Sequence, residues 1–354
     1  MKNDFNLEKY LSEGIKNIIK DAVKATLKNP KQSAFFLKYA SSAKKAEKSR
    51  AAAAQNGEHI PPLLIASITE KCNLRCAGCY AHANAPQCGQ DELDAAQWER
   101  IFSEAKGLGV AVILLAGGEP FMRPEVIAAA AKHPEILFPI FTNGTAITKK
   151  DYLTLNTYRN LLPIISLEGD EAMTDARRSP GVYSSLMAAM RELDRIGVLF
   201  GASITVTSEN IEYTTSEAFI DDLCRKGCKI VFYVEYVPVD SEELALSDAK
   251  RELLEARIAA LRKKEMLFVS FPGDEKESGG CLAAGRGFFH IAPNGNAEPC
   301  PFSPYSDTNL RAIPLKEALN SPLFKKLAGG DILSMEHKGG CVLFEQKDIV
   351  SKLV

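Results

Sequence analysis

The chain has 354 residues, of which 46% are hydrophobic and 25% charged, with a formal net charge of −2. This composition is typical of a globular protein with one large domain and a smaller one, and no nucleic-acid partner is expected. The sequence shows no secretory signal and no apolar stretch of about 18 residues, and its nine cysteines are clustered rather than spread as a disulfide framework. We therefore expect a cytoplasmic protein.

The first segment, residues 1–58, is basic, with 12 Lys and Arg against 6 Asp and Glu. Apolar residues recur there at helical spacing, opposite a row of lysines, and Asn29-Pro30 predicts the start of a second helix. The apolar stripe consists of Leu7, Leu11, Ile15, Ile18, Ile19, Val23 and Leu27, and the lysines are Lys16, Lys20, Lys24 and Lys28. Two interpretations are open: a helical pair packed on the rest of the protein, or a basic amphipathic helix on an anionic inner membrane face or an acidic substrate.

From residue 63 onward, apolar β-rich runs alternate with helical patterns. The predicted strands are Leu63–Ile68, Val110–Leu115, Phe138–Phe141, Ile164–Leu167, Phe200–Thr207 and Ile230–Val237. Alternation of this kind predicts an α/β fold with a parallel sheet, and six units are too few for a closed eight-stranded barrel. We therefore predict a partial (β/α)6 TIM-like barrel, with ligand-binding residues at the carboxyl ends of its strands.

Three cysteines, Cys72, Cys76 and Cys79, follow the first predicted strand in the run TEKCNLRCAGCY. This C-x3-C-x2-C spacing can hold three irons of a 4Fe–4S cube and leaves the fourth iron without a protein ligand, whereas such clusters are ordinarily held by four cysteines. A zinc site is the alternative, but structural zinc sites use a second pair of ligands further on. No second C-x2-C pair and no histidine pair follows here.

Two further motifs follow later strands: Gly-Gly-Glu-Pro at 117–120, and Ser-Leu-Glu-Gly at 166–169 with Arg177 and Arg178 beyond it. Together with the cysteines they resemble the radical S-adenosylmethionine (SAM) superfamily, in which SAM chelates the open iron. The resemblance implies that GGEP meets the amino group of SAM and that Tyr80 contacts the adenine. It also implies that the Ser-Leu-Glu-Gly segment, with the arginines beyond it, binds the ribose and the carboxylate of SAM. Glu168 departs from the family, where Asp is commoner. The implied SAM-site residues are Tyr80, Gly117, Gly118, Glu119, Pro120, Asn143, Ser166, Glu168, Arg177, Arg178 and Thr207.

The resemblance also implies the chemistry. The reduced cluster would pass an electron to SAM, and the resulting 5′-deoxyadenosyl radical would abstract hydrogen from a substrate, with a flavodoxin- or ferredoxin-type protein as external donor and an anaerobic cell as the setting. The substrate stays open between peptide or small-molecule maturation and a membrane lipid or isoprenoid. A non-enzymatic Fe–S carrier or scaffold is a further alternative, against which the retained SAM motifs argue.

The C-terminal part contains Cys281, Gly295 and Cys300 in a C-x13-G-x4-C pattern, with Cys341 near the end. The run Phe288–Ala292 followed by an Asn-Gly turn predicts a β-hairpin. This part resembles a shortened SPASM or twitch domain, which implies an auxiliary 4Fe–4S cluster on the three cysteines. Either a fourth ligand comes from elsewhere or one iron is open to substrate; unmetallated cysteines are the alternative.

The remaining cysteines and histidines carry weaker signals. Cys88 is a marginal candidate for the missing auxiliary ligand, Cys224 and Cys228 are interpreted as structural, and His290 as packed. We expect three domains: a basic helical extension at 1–58, the radical SAM barrel at 59–265, and a small α+β Fe–S domain at 266–354.

Overall fold

The computed structural model describes residues 7–26, 29–84, 91–239, 241–264, 266–271, 279–337 and 340–354. Its strands form one sheet, in the order β7-β6-β5-β4-β3-β2-β1-β8-β9. The strands are β1 (Leu63–Thr69), β2 (Val112–Gly117), β3 (Phe138–Thr142), β4 (Leu161–Ser166), β5 (Gly201–Val206), β6 (Ile230–Glu235), β7 (Leu267–Phe271), β8 (His290–Ile291) and β9 (Ala297–Glu298). Strands β1 to β7 are parallel to their neighbours, so their carboxyl ends lie along one edge.

Helices connect and cover these strands. They are α1 (Leu7–Ala25), α2 (Pro30–Gln55), α3 (Tyr80–Asn84), α4 (Ala95–Leu108), α5 (Pro124–Ala131), α6 (Lys149–Thr157), α7 (Glu171–Arg178), α8 (Val182–Arg195), α9 (Ile211–Thr214), α10 (Glu217–Arg225), α11 (Asp248–Leu261), α12 (Leu315–Ala318), α13 (Pro322–Gly329), α14 (Val342–Glu345) and α15 (Lys347–Val350). Local sequence explains their ends. In α4, for example, Asp94 forms a capping box with Gln97, and Gly109 ends the helix in the left-handed conformation.

The predicted partial barrel is confirmed, because all six predicted strands are present and successive strands pair in parallel. The strand Leu267–Phe271 was not predicted; it pairs with β6 and extends the barrel sheet. The predicted hairpin is also present, with His290 opposite Glu298 and Gly295 in the turn at φ 94°. Its first strand pairs in parallel with β1, so the C-terminal segment joins the same sheet.

The N-terminal helices pack against the barrel. Ile15, Ile19 and Val23 of α1 and Phe36 and Tyr39 of α2 belong to one apolar cluster with residues of several strands, among them Leu162, Ile230 and Leu267. The Tyr39 hydroxyl donates to the Ala111 carbonyl at 2.7 Å. Three residues of the stripe therefore pack against the barrel, as the packing interpretation requires, and Leu27 and Lys28 lie outside the described residues. No helix of the described residues is long and apolar enough to span a membrane.

Candidate active site at the carboxyl ends of the strands

The loop that follows β1 places Cys72, Cys76 and Cys79 half-buried at the carboxyl edge of the sheet. Hydrogen-bond donors face two of the sulfurs. The Leu74 amide and the Asn143 side chain approach Cys72 Sγ at 3.5 and 3.8 Å, and Arg178 Nη1 approaches Cys76 Sγ at 3.9 Å. Donors of this kind stabilise a thiolate, which is the form that binds metal.

The three thiols also influence one another. Burial raises the pKa of Cys72, and the charges of Glu119, Cys76 and Cys79 raise it further. The hydrogen bond from the Leu74 amide lowers it. Burial likewise raises the pKa of Cys76, with Arg178 acting in the opposite direction. The Cys72 and Cys76 thiols, whose pKa values are raised, stay protonated unless a cation compensates the thiolate charge, and bound iron would supply that charge.

The GGEP segment is joined directly to the cysteine loop. The Gly118 amide donates to the Thr69 carbonyl at 2.7 Å, and the Glu119 amide donates to the Lys71 carbonyl at 2.8 Å. A Cβ on Gly117 would lie 2.4 Å from Thr69 O, and one on Gly118 would lie 2.2 Å from Lys71 O. Both positions therefore require glycine because the end of β1 and the cysteine loop lie against this backbone.

Glu119 is fully buried, and its carboxylate accepts hydrogen bonds from Phe121 N at 3.0 Å, Thr142 Oγ1 at 2.7 Å and Asn143 N at 2.7 Å. Burial raises the pKa of this carboxyl group, and these three donors lower it. The side chain thus fixes the end of β3 to the GGEP turn. By this contact it also positions Asn143, the donor to Cys72.

Glu168 lies at the end of β4 with 2% of its surface exposed, between the two arginines of α7. Its Oε1 accepts from Arg177 Nη1 at 2.6 Å and from Arg178 Nε and Nη2 at 2.9 and 2.5 Å. Burial lowers the pKa of Arg178, but Glu168 and Cys76 more than offset this and raise it. Arg178 therefore stays charged and links Glu168 to Cys76.

Two atoms of this cluster have no hydrogen-bond partner among the described residues: the acceptor Glu168 Oε2 and the donor Arg177 Nε, both buried. Buried polar atoms without partners are uncommon and often indicate a missing ligand. A molecule that offers a hydroxyl and a carboxylate, as SAM does, can satisfy both. The residues present therefore fit the nucleoside and amino-acid groups of SAM.

Tyr80 lies between the two groups of cysteines. Its ring packs on Phe302 with 5.2 Å between centroids. Burial raises the pKa of Tyr80, as do the charges of Cys79 and Cys300, whereas hydrogen bonds with the Ser67 side chain and the Gly117 backbone lower it. The ring therefore contacts the C-terminal segment, and its hydroxyl is fixed to β1 and to the GGEP turn.

A buried chain of hydrogen bonds continues from Ser67 into the hairpin. Ser67 Oγ lies 2.7 Å from His290 Nε2, and His290 Nδ1 lies 2.7 Å from Glu298 Oε2. The three residues are 4%, 5% and 6% exposed. The sequence signal that could have indicated this contact is weak, because a single histidine in an apolar strand is normally only packed. Here it joins the C-terminal segment to the barrel.

The second group of cysteines, Cys281, Cys300 and Cys341, is buried, and both Cys281 and Cys341 interact with Cys300. A hydrogen bond with Cys341 raises the pKa of Cys300 most, followed by burial and the charges of Cys341 and Cys281. No three described His, Cys, Asp or Glu side chains are placed to share one metal ion. In a 4Fe–4S cube each thiolate binds its own iron, so the ligands do not converge on a single ion.

The other predicted residues are placed as follows. Ser166 lies half-buried opposite Ser203 in the sheet. Thr207 is buried, and its hydroxyl accepts hydrogen bonds from the backbone of Glu209 and Asn210, so it caps a turn.

Cys228 is fully buried and its thiol donates to the Ile230 carbonyl at 3.2 Å, while Cys224 is half-buried in α10. Cys88 lies outside the described residues.

Comparison with known proteins agrees with this site. Residues 66–216, which span the cysteine loop, the GGEP turn and the Glu168 cluster, match the family model described as the Radical SAM superfamily. The chain therefore contains a radical SAM domain at residues 66–216. It is a SAM-dependent enzyme that uses a 4Fe–4S cluster, as this family does, and enzymes of the family require a reductant. The match ends before residue 281, so the resemblance to SPASM or twitch domains stays a prediction.

The chain is similar to curated enzymes with different substrates. It is 27% identical over 324 residues to the AdoMet-dependent heme synthase of Methanosarcina barkeri, which covers 82% of this chain and 90% of that protein. It is also 27% identical to the PqqA peptide cyclase of Methylorubrum extorquens, covering 68% of this chain and 66% of that protein. Among solved structures, Streptococcus suis SuiB bound to S-adenosylmethionine superposes with a TM-score of 0.65 at 18% identity, covering 80% and 72% of the two chains. That likeness concerns the fold alone.

Proposed function

We propose that this enzyme produces a deoxyadenosyl radical at Cys72, Cys76 and Cys79 and uses it on a tetrapyrrole. The observation that carries the assignment of the radical site is the cluster of Glu168, Arg177 and Arg178. It touches Cys76 and offers an acceptor and a donor that have no partner among the described residues. A pure electron carrier has no use for such a pair. When bound, the reduced cluster supplies one electron to SAM, which divides into methionine and the radical.

The protein's own residues would orient and insulate this chemistry. Arg178 and Asn143 donate to the Cys76 and Cys72 sulfurs and would hold them as thiolates. Glu168 and Arg177 would bind a hydroxyl and a carboxylate of SAM. Tyr236 lies against Gly78, where a Cβ would come within 2.6 Å of its ring, and it would shield the cysteine loop from water.

The similarity to the heme synthase extends over most of both proteins, and this supports a tetrapyrrole substrate. Two shorter matches point to the same class: Fe-coproporphyrin III synthase of Methanosarcina barkeri at 28% identity and pre-heme d1 synthase of Dinoroseobacter shibae at 30%. Each covers only 42% of this chain. A peptide substrate is the second candidate, supported by the similarity to PqqA peptide cyclase.

We also propose that Cys281, Cys300 and Cys341 hold an auxiliary 4Fe–4S cluster. Support comes from their burial in one group, with Tyr80 interacting with both Cys300 and Cys79. An auxiliary cluster there could accept an electron from the substrate radical, since Tyr80 interacts with Cys79 of one group and Cys300 of the other.

The substrate proposal is tested by anaerobic turnover. Reduced, iron-reconstituted protein is incubated with SAM and either iron coproporphyrin III, a metal-free tetrapyrrole, or a mixture of short peptides, and 5′-deoxyadenosine is measured. We expect the iron tetrapyrrole to increase deoxyadenosine formation at least tenfold over SAM alone and to change in mass. Stimulation by peptides with no effect of any tetrapyrrole would transfer the assignment to the second candidate.

A further inference from the structure

Ser303 carries a buried hydroxyl with no partner. The residue is 0% exposed, and its Oγ makes no hydrogen bond with any described residue. A buried hydroxyl that pairs with nothing is unfavourable, so such an atom in a native protein calls for an explanation. The sequence alone gave Ser303 no role.

The backbone places this hydroxyl beside Cys300. Cys300 and Ser303 form an antiparallel bridge, and the Ser303 amide donates to the Cys300 carbonyl at 2.9 Å. Residues directly opposite each other in an antiparallel pair have their side chains on the same face. The side chains of Ser303 and Cys300 therefore lie on the same face of a buried turn.

The turn has the spacing of a metal-binding pair. In Cys300-Pro301-Phe302-Ser303 the two polar side chains stand three positions apart, as in a C-x2-C pair whose members bind one site. The Phe302 amide donates to Cys300 Sγ, and the Cys300 thiol is hydrogen-bonded with Cys341 and within charge range of Cys281. The buried Ser303 hydroxyl, which has no partner among the described residues, thus belongs to the turn whose Cys300 interacts with the other two thiols.

We infer that Ser303 Oγ is the fourth protein ligand of the auxiliary cluster, with Cys281, Cys300 and Cys341 as the other three. This rests on the auxiliary cluster proposed above. As the Fe–O bond forms, the hydroxyl releases its proton to solvent base, and no electron is transferred. An alkoxide oxygen is a harder donor than a thiolate, so one iron of the four differs from the rest. With all four irons ligated by protein, the auxiliary cluster has no open site for substrate and serves electron transfer.

The test isolates this cluster in full-length protein with Cys72, Cys76 and Cys79 replaced by Ala. Into this parent we introduce Ser303→Ala, Ser303→Cys, and Thr308→Val as a matched control, because Thr308 Oγ1 is also buried and unpartnered among the described residues. Each protein is reconstituted anaerobically, treated with a mild oxidant, and followed by iron analysis, EPR and Mössbauer spectroscopy. Circular dichroism checks that each variant is folded.

We expect the parent and Thr308→Val to retain about four irons, with one Mössbauer subsite distinct from the other three. Ser303→Ala should lose one iron of the four on oxidation and acquire the EPR signal of a 3Fe–4S cluster. Ser303→Cys should retain four irons and lose the distinct subsite. Unchanged iron content and an unchanged Mössbauer spectrum in both Ser303 variants would overturn the assignment, as would loss of the fourth iron on Cys88→Ala instead. A parent without iron would overturn the auxiliary cluster itself.

Discussion

Arg178 lies with Nη1 3.9 Å from Cys76 Sγ and with its other guanidinium nitrogens on Glu168 Oε1. The buried Arg178 guanidinium therefore joins the Ser-Leu-Glu-Gly motif to the cysteine motif. Because its charge acts on both partners, a change at Arg178 should be detected at the cysteine loop and at the SAM site together. This contact explains why the two motifs, about a hundred residues apart, belong to one site.

Removing this charge should change the reactivity of the metal-free protein. Thiolate, not thiol, is the nucleophile, and burial raises the pKa of Cys76 while Arg178 lowers it. Arg178→Met should therefore move the pH profile of Cys76 alkylation by iodoacetamide to higher pH. The exposed Arg191→Met is the control. Mass spectrometry of the peptide containing Cys76 gives the rates; an unchanged profile would show that Arg178 does not act on this thiol.

Breaking the buried ion pair should destabilise the fold. Glu168→Gln removes the negative charge that Arg177 and Arg178 share in a nearly water-free place, and such a loss typically costs about 3–5 kcal/mol. Glu192→Gln, which breaks an exposed pair with Arg195, should change the free energy of unfolding far less, because solvent screens that pair. Denaturant unfolding of both variants measures the difference, and SAM binding should weaken only in the first. Equal costs would mean that solvent reaches Glu168.

Close contact between the GGEP turn and the cysteine loop predicts a contrast between two glycines. A Cβ on Gly118 would lie 2.2 Å from Lys71 O, whereas one on Gly107 in α4 would meet nothing within 4 Å. Gly118→Ala should therefore displace the cysteine loop and reduce the iron bound after reconstitution. Gly107→Ala should stabilise the protein by up to about 1 kcal/mol, since alanine favours helix. Full iron content in Gly118→Ala would contradict this packing.

The packing of the N-terminal helices is tested by two adjacent residues of α2. Phe36 is 1% exposed in the cluster that covers the barrel, and Leu37 is 66% exposed. Phe36→Ala should lower the free energy of unfolding by about 3–5 kcal/mol, and Leu37→Ala by no more than about 0.5 kcal/mol. The intact protein should also fail to co-sediment with anionic liposomes. Salt-sensitive sedimentation would restore the membrane interpretation.

Much of the barrel could be predicted because its strands are buried apolar runs with clear separators, and because parallel units bring their carboxyl ends to one edge. That rule was enough to bring Cys72, Gly117 and Glu168 together. The strand Leu267–Phe271 was missed because it is only five residues long and directly follows a charged helix. The sequence analysis therefore placed it in the C-terminal domain, although it lies in the barrel sheet.

The hydrogen bonds of the site were beyond the reach of the sequence. Ser67 and His290 are separated by 223 positions and meet only because β8 adds to the sheet beside β1. For GGEP the sequence indicated a contact with SAM, and the structure adds that its glycines lie close to the end of β1 and the cysteine loop. Ser303 has no sequence signal apart from its distance from Cys300.

The central claim, that Cys72, Cys76 and Cys79 hold the radical-generating cluster, is tested most directly by measuring 5′-deoxyadenosine from reduced protein and SAM under anaerobic conditions. Cys76→Ala should abolish its formation, and replacement of all three cysteines should remove about four irons per chain, the content of one cube. Cys224→Ala, which changes a half-buried cysteine in α10, should leave both quantities unchanged. Undiminished deoxyadenosine formation by Cys76→Ala would contradict the account.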